Sequence, residues 1–82
     1  MLITNKTKVE LVISGGILKP GETREYMEMG FSVRNIHSEI GSVYITIEYG
    51  KRSISNFGKL VAKEGHKNDE YGMKNIIVTA KD

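Results

Sequence analysis

The side chains best able to do chemistry in this sequence are Ser53 and Ser55, His37 and His66, and Asp69 with Glu70 beside it. A nucleophilic serine needs a base within hydrogen-bond reach and a third group to orient that base. No Gly-x-Ser-x-Gly elbow occurs, and any chain of this size carries some Ser, His and Asp, so the sequence points away from a hydrolase. His66, Asp69 and Glu70 can reach one cation from a loop, but a tight site takes three or four fixed ligands, and the polar run His66–Tyr71 reads as exposed loop. His37 stands alone near the end of a strand and reads as a surface or half-buried histidine. Glu25 and Glu28 lie where charges alternate and read as solvent-facing, not as a paired acid and base. Phosphate cradles fail as well. Neither Gly-x-x-x-x-Gly-Lys-[Ser/Thr] nor Gly-x-Gly-x-x-Gly occurs, and Gly50-Lys51 and Gly58-Lys59 are turns followed by lysine. Asn5-Lys6-Thr7 matches a glycosylation acceptor by coincidence. With no cysteine there is no thiolate and no disulfide framework, which fits a reducing, cytoplasmic setting. The sequence therefore predicts no enzyme, no catalytic residue, no metal and no cofactor.

Charge is more informative in its distribution than in its sum. The chain has 12 basic and 10 acidic residues, a net of +2. Between Tyr49 and Lys67 stand Lys51, Arg52, Lys59, Lys63 and Lys67 against the single acid Glu64. Such asymmetry marks either a solvated face or an anionic partner.

The elements that would position these groups are strands. Val9, Leu11 and Ile13 alternate with Glu10, Val12 and Ser14, and Val43, Ile45, Ile47 and Tyr49 alternate with Tyr44, Thr46 and Glu48. Ile76, Val78 and Ala80 share one face near the end of the chain. Phe31, Val33 and Ile36 make a weaker strand whose parity slips, as a bulge would cause. Gly15-Gly16 suits a tight hairpin turn, and Pro20-Gly21 a type II turn. The interval Asn56–Glu64 reads either as a short helix capped by Ser55 and ended by Gly65, or as a strand; Gly58 costs the helix about 1 kcal/mol. The fold class expected is all-β, mainly antiparallel, a single domain over residues 1–82 shaped as a small β-sandwich or partly open barrel. Leu11, Ile13, Val33, Ile45, Ile47 and Val78 should form its core.

A two-residue loop at Gly50-Lys51 would set Tyr49 opposite Arg52, Ile47 opposite Ile54 and Tyr44 opposite Phe57. Tyr44 and Phe57 would then pair on a face otherwise lined by Thr46, Glu48, Ser53 and Ser55, either as the lid of a second small core or as a contact surface.

The opening, with a short strand, Asn-Lys-Thr, a second strand and Leu-Lys-Pro-Gly-Glu-Thr, resembles in architecture the first strands of many immunoglobulin-like sandwiches. That resemblance covers about the first 30 residues, rests on a Pro-Gly turn and implies no function.

Two functions fit. The first is a non-enzymatic protein-interaction module, such as an inhibitor, adaptor or assembly subunit, including a phage-encoded one, binding through a sheet face or an edge strand. Its partner-binding residues would be Tyr44, Phe57, Arg52, Lys51 and Lys59. A homodimer is part of this expectation, through edges near Ile17–Lys19 and at the N-terminal strand. The alternative is a small β-barrel binding nucleic acid through Tyr49, Lys51, Arg52, Phe57 and Lys59 in the segment 49–67. The start Met-Leu-Ile-Thr-Asn-Lys lacks the apolar run of a signal peptide. No stretch approaches the roughly 18 apolar residues of a membrane span, so no membrane partner is expected.

Overall fold

β-branched residues in alternation make this chain a succession of strands, and glycines decide where it turns. The computed structural model describes residues 1–26, 32–33, 36–37, 39–49 and 51–81. The strands are β1 (Leu2–Asn5), β2 (Leu11–Ile13), β3 (Gly16–Leu18), β4 (Thr23–Glu25), β5 (Ser32–Val33), β6 (Gly41–Glu48), β7 (Lys51–Gly58), β8 (Leu60–Asn68) and β9 (Lys74–Ala80). No helix occurs among the described residues. The fold is all-β, as the alternation predicts.

The strands form a four-stranded sheet in the order β4-β1-β9-β8, a three-stranded sheet β5-β6-β7 and a two-stranded ribbon β2-β3. They do not close into a barrel. Every pairing is antiparallel except β1 with β9, which run parallel with Ile3 beside Ile76 and Asn5 beside Val78. The inward faces meet in one core. Ile3, Ile76 and Val78 come from the large sheet, Val43, Ile45 and Ile47 from β6, and Leu11, Ile13 and Leu18 from the ribbon, all buried. Five of the six expected core residues are among them. The side chain of Val33 and the bulge expected before Ile36 lie outside the described residues.

One open choice is settled and three expectations change. Residues 56–64 are strand, not helix, because Gly58 sits at φ +74 and reverses the chain, with Lys59 alone between β7 and β8. Its pair partner Gly41, at φ +132, has no room for a side chain, since an added methyl would strike the Phe57 carbonyl. The first hairpin turns at Ser14-Gly15 (φ +49 and +76), one residue earlier than expected, and leaves Gly16 opposite Ile13. The second turns at Tyr49-Gly50, with Glu48 opposite Lys51 and Tyr49 at φ +50. In the first, glycine falls second in the loop with positive φ, the position where a type I′ turn needs it most. Finally, β1 lies inside the large sheet between β4 and β9, so the N-terminal strand offers no free edge.

Asn5 ties three of these parts together. Its side chain is fully buried (0 % exposed). Nδ2 donates to the Val9 carbonyl at 2.8 Å and the Leu18 carbonyl at 2.9 Å, while Oδ1 accepts from the Thr7 amide at 2.8 Å and the Thr7 hydroxyl at 2.6 Å. Its own amide donates to the Glu22 carbonyl, and its carbonyl accepts from the Gly21 amide. Gly21, at φ +80 behind Pro20, and the Glu22-to-Lys19 backbone bond complete the expected type II turn. The glycosylation match is thus a structural device: all four side-chain bonds of Asn5 are spent inside the protein. Replacing Asn5 with Ala strands the buried Leu18 carbonyl and the Thr7 amide, each worth about 1–3 kcal/mol, while the Val9 carbonyl keeps the Thr7 hydroxyl. Asn5→Ala should cost about 3–5 kcal/mol by urea denaturation. An unchanged midpoint would show that the clamp is dispensable.

Candidate interaction surface

Successive residues of a strand face opposite ways, so the β6–β7 hairpin divides its side chains cleanly. Val43, Ile45 and Ile47 go inward with Arg52, Ile54 and Asn56, and Ser42, Tyr44 and Thr46 go outward with Lys51, Ser53, Ser55 and Phe57. The register differs by two residues from the expected one, and a shift of two preserves faces. Tyr44 and Phe57 are consequently diagonal neighbours, since Tyr44 pairs with Ser55 and Ser42 with Phe57. Their rings still meet, edge to face, with centroids 5.5 Å apart and planes at 81°. Phe57 remains 53 % exposed and Tyr44 is half-buried.

The five residues singled out in the sequence do not form one patch. Lys51 shares the outward face with the aromatic pair. Arg52 lies on the other face, 6 % exposed, where one terminal nitrogen donates to the Lys74 carbonyl at 2.7 Å and the other stands 3.3 Å from Glu64 Oε2. It fastens β7 to β8 and to the start of β9. Lys59 is exposed at the β7–β8 turn, a full strand away from Lys51. From the sequence, Tyr49 falls on the strand face of Val43, Ile45 and Ile47 and among the residues of the basic segment. It stands fully exposed at the hairpin tip, where with Thr46, Lys51 and Ser53 it lines a shallow depression of about 360 Å³. Its φ of +50 costs a non-glycine residue roughly 1–2 kcal/mol. The misplaced turn concealed this, since the assumed loop left Tyr49 inside the strand.

His66, Asp69 and Glu70 do not assemble. No three His, Asp or Glu side chains converge among the described residues. β8 runs on to Asn68, so His66 is a strand residue rather than part of a loop. Asp69 turns inward, 1 % exposed, with Oδ2 3.1 Å from the Met1 ammonium and Oδ1 accepting the Tyr71 and Met73 amides at 2.9 Å each. The same ammonium donates to the Tyr26 carbonyl at 2.8 Å and to Glu25 Oε1 at 3.1 Å. Burial pushes the Asp69 carboxyl up, but the Met73 amide, the ammonium and the Tyr71 amide outweigh it and hold it below the usual range.

No protein-family model, curated protein or solved structure matches the chain. No helix among the described residues is long and apolar enough to cross a membrane.

A carboxyl with a lowered folded-state pKa stabilises the fold above its unfolded value, and that stability is lost as pH falls through the folded value. Stability should therefore decline on acidification below about pH 4, the unfolded range of Asp. Asp69→Asn keeps the amide acceptor and removes the charge, so urea midpoints of the variant should depend less on pH across that window. Equal slopes in variant and parent would assign the acid sensitivity elsewhere.

Proposed function

We propose that this chain is a non-enzymatic interaction module that binds another protein through the outward face of the β6–β7 hairpin. The observation carrying this reading is the make-up of that face. A half-exposed Phe57 set edge to face against Tyr44 and the hydroxyls of Thr46, Ser53 and Ser55 stand on paired strands, with Tyr49 at the tip. Aromatic rings supply large contact area with few rotatable bonds, and small hydroxyl residues supply adaptable hydrogen bonds, the mixture that antibody paratopes use. Tyr49 supports the same reading by its exposure, since it presents its whole ring to solvent at the tip.

The nucleic-acid alternative on residues 49–67 is weaker on the geometry. Arg52 is committed to Glu64 and the Lys74 carbonyl, and Lys51 and Lys59 stand roughly 25 Å apart along β7.

Affinity capture with the immobilised chain, after nuclease treatment, should retain a protein partner. Phe57→Ala and Tyr44→Ala should weaken that complex by at least about 1 kcal/mol, with Lys51→Ala doing much less and salt having little effect. Phe57→Ala should stay folded, because half of the ring is already in solvent. If nuclease releases everything bound, or if Lys51→Ala abolishes binding while both aromatic changes are silent, the reading fails.

A further inference from the structure

A cleft of about 390 Å³ opens at the end of the molecule where the Lys6–Val9 loop, the β7–β8 turn and the end of β9 meet. Lys6, Lys8, Lys59 and Lys81 line it, and among the described residues no acid does. None of the four has an ion-pair partner among the described residues. Ammonium groups gathered round one cleft repel one another, and low-dielectric walls strengthen the effect. Their backbones are nevertheless pinned. Lys6 donates to the Val78 carbonyl, Lys59 to the Ile40 carbonyl and Lys81 to the Lys59 carbonyl, each at 2.8 Å. Lys8 lies between Thr7 and Val9, both held by the Asn5 side chain. Lysines whose backbones are held round one cleft can turn their side chains onto a shared anion.

The remaining surface says which kind of anion. Val9, Ile40 and Ala80 give the cleft an apolar floor, and Val9 is well exposed. A second cleft of about 480 Å³ on the outer face of the large sheet shares Lys6. It adds His66 and Lys67, again without an acid, and its apolar part is Leu2 and Ile77. No Phe, Tyr or Trp lines either cleft, and His66 brings the one ring among their lining residues. Single-stranded nucleic acid sites pair a positive groove with several rings on which successive bases stack, and here one cleft has a lone imidazole and the other no ring. An extended polypeptide instead presents alternate side chains to opposite sides about every 3.3 Å, and so can set carboxylates beside apolar groups.

We propose that these two clefts bind an extended acidic segment of a partner protein, its carboxylates on the lysines and its apolar side chains on the two floors. The site is distinct from the outward hairpin face and does not depend on it.

A fluorescein-labelled synthetic peptide alternating glutamate with leucine, titrated against the full chain by anisotropy, tests this directly. It should bind, bind more weakly as salt rises, and bind more tightly than a peptide of equal charge alternating glutamate with glycine. Lys8→Glu with Lys81→Glu should weaken it at least about tenfold, and Phe57→Ala should leave it unchanged. Should the charge-reversed variant not fold, Lys8→Gln with Lys81→Gln should still lose most of the binding. No binding to the parent chain, or equal binding by a folded lysine variant, overturns the proposal. So does equal or tighter binding of an oligothymidylate or of tripolyphosphate, which would make this a phosphate site.

Discussion

The buried side chain of Asn5 is the constraint on which this fold turns. An amide buried without partners would cost several kcal/mol, and one with all four bonds made becomes a fixed node. Asn5 closes β1, and from there its side chain reaches the Thr7 amide, the Val9 carbonyl and the Leu18 carbonyl. Its main chain engages Gly21 and Glu22. One residue thus sets the path of the Lys6–Val9 loop, docks the β2–β3 ribbon on the large sheet and places the Pro20-Gly21 turn. The ribbon in turn brings Leu11, Ile13 and Leu18 into the core. A hydrophobic core alone is indifferent to small slides of one sheet over another; directional bonds to a buried amide are not.

Two reversals of the chain then determine what faces solvent. The Tyr49-Gly50 loop sets the parity of β6 and β7, so that isoleucines face in and Tyr44, Ser53 and Phe57 face out. The close approach of Gly41 and Gly58 lets the chain leave β7 and enter β8 through Lys59 alone, which carries that lysine to the end of the molecule where Lys6, Lys8 and Lys81 also arrive. The aromatic face and the lysine cleft therefore come from the same few backbone decisions.

The fold class was legible because β-branched alternation is a local signal, and Leu11, Ile13, Ile45, Ile47 and Val78 are where that signal puts them. The faces of the hairpin were legible too, since parity survives a register shift of two. The turns were not, because Gly15-Gly16 and Gly50-Lys51 satisfy the same general preference for glycine as Ser14-Gly15 and Tyr49-Gly50, and only the pairing of whole strands decides between them. Gly58 counts against a helix from sequence alone, but only its positive φ shows that the chain reverses there between two strands. Arg52 looked like a contact residue and is a buried tie to Glu64 and Lys74, a distinction set by non-local partners. The lysine cleft gathers residues from both ends of the chain and the middle, so no window of sequence displays it.

Native-state hydrogen exchange at the Thr7 amide tests the role of Asn5 most directly. Thr7 belongs to no strand, and its amide has the Asn5 Oδ1 as its acceptor at 2.8 Å. If Asn5 is the node described, that amide should open only with the whole molecule and exchange as slowly as the amides of β9 in the middle of the large sheet. Exchange at the rate of an unprotected loop amide would show that the loop opens locally, and that Asn5 does not hold the fold together.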